Sequence, residues 1–396
     1  MPAERAGLDA LLASGCVRFV HDRLDEQLDE LASCLVPSGD PAALAAARRD
    51  ALGDVPVERY GTWAWYPWSG RLVRVLPEEP FRLVRTDRNR GRISRAEQER
   101  LRGCRIGVVG LSVGNGTALA CAMEGLAGSF RLADFDRVGL SNLNRLRAGV
   151  HELGVEKTVL CARQMYETDP YLDVELLRGG VTEDSVDALF GGAGPDAPAG
   201  AGGLDLLVEE CDTPWVKFAV REHARRLGVP VLMEMNDRGM LDVERFDLEP
   251  ARPVFHGRAG ATTADDLRDL DRAGLLACLL RVVDEQALSP EMTAALPEIG
   301  RTLSSWPQLA SGVALGSALV ADTARRVLLG HPVPSGRYYA DLSEIVGGGA
   351  QGLPCAGPGA APKAEAPTPA PSAPGEPTPV TPAPVTPAFA EGGARR

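Results

Sequence analysis

Several absences narrow the field before any motif is read. The eight cysteines are scattered without a single C-x-x-C pair, so the paired spacing of a tetrahedral zinc site is missing, and reduced thiols in a cytoplasmic protein without structural zinc are expected. No apolar run approaches the roughly 20 residues that a bilayer span requires. The opening M-P-A-E-R-A-G-L-D-A lacks a basic segment followed by an apolar one, so neither a secretory leader nor a membrane partner is expected. Basic charge is also in deficit: 42 Lys and Arg against 54 Asp and Glu leave a net charge of -12. Binding a nucleic-acid backbone requires a basic face, so nucleic acid is not expected as a partner. Solubility is the plain reading of the acidity.

The 396 residues present suffice for one large core or two modest ones. Residues 1 to about 56 are predicted helical: Leu24, Leu28, Leu31 and Leu35 fall at helical spacing, and Pro41 to Leu52 is rich in Ala and Arg. Tyr60 to Trp68 gathers three of the five tryptophans, a satellite core or a domain contact. Arg71 to Val84 alternates like a hairpin with P-E-E-P at its turn. From Arg105 the pattern changes. Short apolar strands at Arg105–Gly110, Phe130–Asp134, Val174–Leu177, Leu204–Glu209 and Val229–Met235 alternate with helices at Gly114–Leu126, Glu156–Thr168, Glu183–Phe190 and Trp215–Leu227. That alternation predicts an α/β fold, a doubly wound, mostly parallel Rossmann-like sheet. Gly191 to Gly203 reads as a flexible surface insertion. Thr262–Leu288 and Trp306–Leu329 read as helical, with Gly312 and Gly316 permitting close packing, and Arg337–Leu342 as a last strand. Residues 354–396 hold 12 of the 31 prolines and almost no large apolar side chains, which predicts a disordered Pro/Ala-rich tail. The expected organisation is an N-terminal helical and aromatic extension (1–84), an α/β domain (85–346) and the tail (347–396).

The chemistry concentrates around the first two strands of the sheet. Gly110 ends the first strand, and L-S-V-G-N-G opens a helix whose free N–H groups favour phosphate or ribose oxygens. Ser112 stands where a dinucleotide turn has its second glycine and Asn115 where it has its third, while Gly114 and Gly116 lie beside those places; the loss of the second glycine argues against NAD. Asp134 sits at the end of the second strand, where an acid that holds ribose hydroxyls belongs. Alone it would read as the start of a turn. It is joined in one short loop by Asp136, Ser141, Asn142, Asn144 and Arg145, a set suited to a triphosphate that is held and attacked. Lys157 begins the next helix. Asp212 falls at the carboxyl end of the fourth strand, facing the crevice where doubly wound sheets bind ligands. Cys211 reads as a buried strand-end thiol. Asn236, Asp237 and Arg238 end the fifth strand near the same crevice and are candidates for shaping an acceptor pocket. Asp242, Glu244, Asp247 and Glu249 read as a solvated face, and Trp306 and Pro307 as core.

The glycine turn followed by D-F-D-R-V-G-L-S-N-L-N-R resembles, almost letter for letter, the signature of the ThiF/MoeB/E1-like (ubiquitin-activating-type) adenylyltransferases, D-x-D-x-V-x-x-S-N-L-x-R. The resemblance covers roughly Arg85 to Leu342. It implies that a carboxylate attacks the α-phosphorus of ATP, giving an acyl-adenylate and pyrophosphate. It implies a nucleotide site of Gly110, Ser112, Gly114, Asp134, Asp136, Asn142, Arg145 and Lys157. In that family Asn142 and Arg145 would contact the phosphates, Lys157 in its G-x-x-K setting would reach the triphosphate, and Asp212 would hold Mg²⁺. Arg85–Leu101 resembles the family's segment preceding the sheet, from which an arginine, Arg88 or Arg90 here, would reach into the partner's site of a homodimer. Many relatives carry two C-x-x-C pairs on zinc; this sequence departs from them. Thioester-forming members add a catalytic cysteine after the sheet, but Cys278 in L-L-A-C-L-L reads as core, so adenylation without an enzyme thioester is expected. The sequence is also similar to an actinobacterial subgroup with V-E-E-C-D and D-R-G-x-L-D-V-E-R-F-D-L-E-P, some members of which continue into a nitroreductase-like flavin domain; the proline tail here does not imply that chemistry. The acceptor stays open among a ubiquitin-like carrier, a peptide C-terminus and a small acid. An NAD-dependent oxidoreductase and a non-catalytic E1-like scaffold are the rival readings.

Overall fold

The computed structural model describes residues 2–191 and 202–347. The chain begins with α1 (Pro2–Ala13), β1 (Phe19–Asp22), α2 (Leu24–Leu35) and α3 (Pro41–Leu52). Leu24, Leu28 and Leu31 form the stripe that their spacing predicts and are buried together with Leu76. Asp40 starts α3 by accepting a hydrogen bond from the Ala43 amide at 2.8 Å, with Pro41 in the first turn. A strand in this region was not expected. F-V-H-D is short and exposed throughout, so it carries no burial alternation by which to recognise it.

The expected hairpin at Arg71–Val84 lies earlier. β2 (Thr62–Tyr66) pairs antiparallel with β3 (Arg71–Val75), and β1 joins the other edge of β3 in parallel. P-E-E-P begins a helix instead, α4 (Glu78–Arg85), because Glu78 and Glu79 complement the positive end of its dipole. The aromatic segment reaches across to the main sheet layer: Tyr66 Oη donates to the Tyr166 carbonyl at 3.1 Å, and Trp68 Nε1 to Glu167 at 2.6 Å. α5 (Arg95–Arg102) follows, closed at its start by a reciprocal capping box of Ser94 and Glu97.

Next come β4 (Arg105–Val109), α6 (Gly114–Glu124), β5 (Ser129–Ala133), α7 (Lys157–Thr168), β6 (Asp173–Leu177), α8 (Val186–Leu189), β7 (Leu206–Glu209), α9 (Pro214–Leu227), β8 (Val231–Met235) and β9 (Met240–Glu244). The chain continues through α10 (Arg272–Val283), α11 (Pro290–Ala295), α12 (Ala310–Leu328), β10 (Gly336–Tyr339) and α13 (Leu342–Gly347). The seven-stranded sheet has the order β10-β9-β8-β7-β4-β5-β6. Its five strands from β8 to β6 are parallel, and β9 and β10 are antiparallel additions. The chain moves outward from β4 to β6, then returns to the other side of β4 for β7. This reversal leaves a crevice at the carboxyl ends of β4, β5 and β7. One face of the sheet packs Ile106, Val108 and Phe130 against α6, α7 and α12, and the other packs Leu207 and Val231 against Phe218 and Phe255.

The acidic stretch after β8 corrects the sequence reading. Asp242 and Glu244 lie in β9 at 1% and 0% exposure, far from a solvated face, because Arg337 and Arg221 reach them from other elements. Only Asp247 and Glu249 stay near the surface, paired with Arg245 and Arg252. Gly312 and Gly316 do permit close packing of α12: a Cβ at Gly312 would lie 3.0 Å from the Asn236 carbonyl oxygen, and one at Gly316 would meet the Glu234 carboxylate. Residues 192–201 of the glycine-rich insertion and residues 348–396 of the proline-rich tail lie outside the described residues. No helix among the described residues is long and apolar enough to cross a membrane.

Candidate active site

The crevice is an open cleft of about 1170 Å³, bordered by Gly110, Ser112, Asp134, Asp136, Asn142, Arg145, Lys157 and Asp212. All but Lys157, which begins α7, come from segments that leave a strand end, so the sheet fixes their spacing. Gly110 takes a left-handed φ of 87°, and a Cβ there would lie 2.6 Å from the Glu210 carbonyl oxygen. Only glycine fits this close approach of two strand ends. Gly114 stands at the start of α6, where a Cβ would meet Val108 at 2.9 Å; it serves packing and does not border the cleft.

Asp134 accepts from the Leu111 amide through Oδ2 and from the Asp136 amide through Oδ1, both at 2.7 Å. It thereby ties the glycine turn to the following loop. Burial pushes its carboxyl above the ordinary range, while those two amides and Lys157 pull it down. Lys157 is 5% exposed and donates to Asp136 at 2.7 Å. Asn142 Oδ1 accepts from the Gly139 amide at 2.9 Å and closes the turn that leads to Arg145. Arg145 donates to Ser112 Oγ at 3.2 Å, to the Ser141 carbonyl at 3.2 Å and to Asn144 Oδ1 at 2.9 Å, while its Nε is buried without a partner among the described residues. Burial lowers its pKa, and Asp212 opposes that. Asn144 also donates to the Gln308 carbonyl at 2.8 Å, holding the loop against the segment before α12.

Arg90 is not brought to this cleft. It pairs with Asp87 at 3.2 Å and borders a separate cavity near Gln98 and Gly125, at the far end of α6. Arg238 is likewise drawn away, to Asp341 and Glu344 at 2.7 Å each, and Asp237 is engaged by Ser289; Asn236 alone of that trio lines a pocket without such a partner. Trp306 and Pro307 depart from the core role expected of them: Pro307 is exposed, Trp306 half-buried, and both line the cleft. Cys278 is fully buried in an apolar cluster, as its sequence suggests.

Sequence reasoning missed a buried charge network beneath the cleft. Arg221, fully buried, donates to Glu209 and to Glu244 at 2.6 Å each and lies 4.2 Å over the Phe255 ring. Lys217 Nζ contacts the two Glu209 oxygens at 3.1 and 3.2 Å. Burial alone would raise Glu209, but Lys217 and Arg221 outweigh it and hold the carboxyl down at about 2. His256 and Arg337 both reach Asp242, at 3.0 and 2.5 Å. The four-residue spacing of Lys217 and Arg221 on one helical face was the available signal.

The ThiF family profile matches residues 86–344. The chain belongs to the ThiF family. It is 42% identical over 336 residues to uncharacterized protein MT1398 of Mycobacterium tuberculosis (strain CDC 1551 / Oshkosh), covering 85% of this chain and 43% of that protein. It is 26% identical over 168 residues to the tRNA threonylcarbamoyladenosine dehydratase of Bacillus subtilis (strain 168), covering 42% of this chain and 62% of that one. The chain thus spans less than two thirds of each of these relatives. Among solved structures, E. coli MccB with ATP superposes with a TM-score of 0.42 at 15% identity, over 80% of this chain and 86% of that one. Among the described residues of this ThiF-family chain, no three His, Cys, Asp or Glu side chains converge as a metal site.

Proposed function

We propose that this ThiF-family chain is an ATP-dependent adenylyltransferase that activates a carboxylate. A carboxylate oxygen of the acceptor bonds to the α-phosphorus of ATP as the bond to the bridging oxygen breaks, yielding an acyl-adenylate and pyrophosphate. The observation that carries this reading is the convergence of Ser112, Arg145, Lys157 and Asp212 on one cleft at the strand switch point. Arg145, with its unpartnered Nε and its fork held on three oxygens, is suited to a phosphate oxygen. Lys157 supplies a second cation, and Asp134 is placed for ribose hydroxyls. Asp212 fits Mg²⁺, which binds through one or two carboxylates and substrate phosphates while keeping its waters; when bound, it would neutralise charge on the phosphates.

In this reading the protein contributes positioning and charge neutralisation, which dominate catalysis of such transfers. No side-chain nucleophile is required, and the buried Cys278 supports a reaction without an enzyme thioester. A homodimer in which Arg90 serves the partner's cleft, and a cytoplasmic setting, belong to the same proposal. ATP–pyrophosphate exchange across a panel of carboxylates tests it. Exchange should appear with an accepted carboxylate and collapse in Arg145→Ala and Asp212→Ala; wild-type exchange in both variants would refute the site.

A further inference from the structure

Beside the large cleft, and sharing Asp212, Trp306 and Gln308 with it, lies a second cavity of about 150 Å³. One wall is apolar, built from Leu279, Val282, Val283 and Met292, while Lys217, Asp237 and Gln308 also border it. Its inner end is polar. Glu234 is 4% exposed, and neither of its carboxylate oxygens has a hydrogen-bond partner among the described residues. Glu210, also buried, borders the same cavity and accepts a long bond, 3.3 Å, from the Glu234 amide. Asn236 Oδ1 is a third buried acceptor there without a partner among the described residues. The neighbouring cation, Lys217, is engaged by Glu209.

Buried acceptors are ordinarily satisfied, because leaving them bare carries their full desolvation cost. Here three border a cavity whose apolar wall is Leu279, Val282, Val283 and Met292, and the Lys217 that also borders it is already engaged by Glu209. The missing complement has several N–H donors and positive charge, on a stem that itself prefers an apolar wall. A metal ion is a poorer match, since no third His, Cys, Asp or Glu joins the two glutamates at ligand spacing among the described residues.

We propose that this cavity is the acceptor's side-chain subsite and takes a primary ammonium or a guanidinium on a short aliphatic stem. The carboxylate presented beside Asp212 then belongs to a basic amino acid, free or at the end of a peptide. Only the fate of that carboxylate rests on the adenylation reading; the recognition chemistry stands on Glu234, Glu210 and Asn236.

The first arm of the test uses no ATP. n-Butylammonium is titrated into the full chain by calorimetry, with 1-butanol as its neutral counterpart. Butylammonium should bind and butanol should not. Glu234→Gln, which keeps the shape but cannot ionise to pair with the ammonium, should weaken binding by about tenfold or more, as expected for a charge-assisted hydrogen bond. Leu279→Trp, which fills the cavity and leaves both glutamates intact, should abolish it in a protein of unchanged circular dichroism. No binding of butylammonium, equal binding of butanol, or unchanged affinity in Glu234→Gln overturns the subsite. The second arm measures pyrophosphate exchange with L-lysine and L-arginine, with short peptides ending in either, and with norleucine and citrulline as neutral controls. A preference of about tenfold for the basic carboxylates is expected; free amino acids against peptides distinguishes the two sources. Equal exchange with norleucine and lysine would sink the subsite while sparing adenylation. Charge-dependent butylammonium binding without exchange on any carboxylate would do the reverse.

Discussion

Arg145 donates through Nη2 to Ser112 Oγ at 3.2 Å, so the residue that replaces a glycine in the first turn is a positioning contact for the cleft's principal arginine. What looks in sequence like a defect of the turn is tied to the Asn142–Arg145 loop. Ser112→Ala removes this acceptor and leaves Arg145 on Ser141 and Asn144. A hydrogen bond to a charged group contributes about 1.5–3 kcal/mol, so kcat/KM for ATP in the exchange reaction should fall by roughly tenfold. Arg145→Ala should cost about 10²- to 10³-fold, as for loss of one preorganised donor, with little change in Tm. If Ser112→Ala matched the native enzyme, Ser112 would be a bystander.

Lys157 and Asp136 separate a functional from a structural lysine. The ammonium is buried and its 2.7 Å partner is mostly exposed, so water screens the carboxylate's side of the pair. Lys157→Met should raise KM for ATP at least tenfold, since a phosphate loses a point charge. Asp136→Asn should affect exchange less. Equal losses of Tm in both variants, with KM for ATP unmoved, would make the pair purely structural.

Much of this was legible beforehand, for particular reasons. β4, β5, β6, β7 and β8 are apolar runs bounded by turns, and their alternation with helices left one architecture. The loop from Asp134 to Arg145 is contiguous, so its residues could be read together. Long-range contacts behaved differently. Asp242 and Glu244 read as solvated because their partners, Arg337 and Arg221, stand 95 and 23 residues away. β1 escaped because an exposed edge strand has no alternation. The meeting of Glu210, Glu234 and Asn236 at one cavity depends on α12 packing over β8 through Gly312 and Gly316, which no local pattern encodes.

Arg221 holds two carboxylates, Glu209 and Glu244, neither with any exposure. Removing it leaves Glu244 without its main cation and Glu209 with Lys217 alone. Arg221→Met should therefore destabilise the fold by about 3–5 kcal/mol, the usual cost of breaking a buried pair from one side. Urea denaturation measures this directly. Glu244→Gln in that background should recover part of the loss, since it removes one stranded charge; additivity of the two costs would show that the residues do not interact.

Glu234 sets a pH dependence of definite sign. Burial pushes its carboxyl up to about 8, with Lys217 pulling the other way. An unfolded glutamate titrates near 4.3, so between these values the folded chain binds more protons than the unfolded one. The associated stability is fully present below the unfolded value and is lost as pH rises through about 8. Tm should consequently decline from pH 6 to pH 9, with Glu210, pushed well up by burial and by Glu234, contributing to the same decline, and Glu234→Gln, which cannot ionise and relieves Glu210, should flatten it. Glu209 cannot imitate the effect. Its carboxyl is held at about 2, so its contribution is present throughout that range and fades only in acid. A variant whose Tm falls as steeply as the native protein's between pH 6 and pH 9 would show that Glu234 does not titrate there.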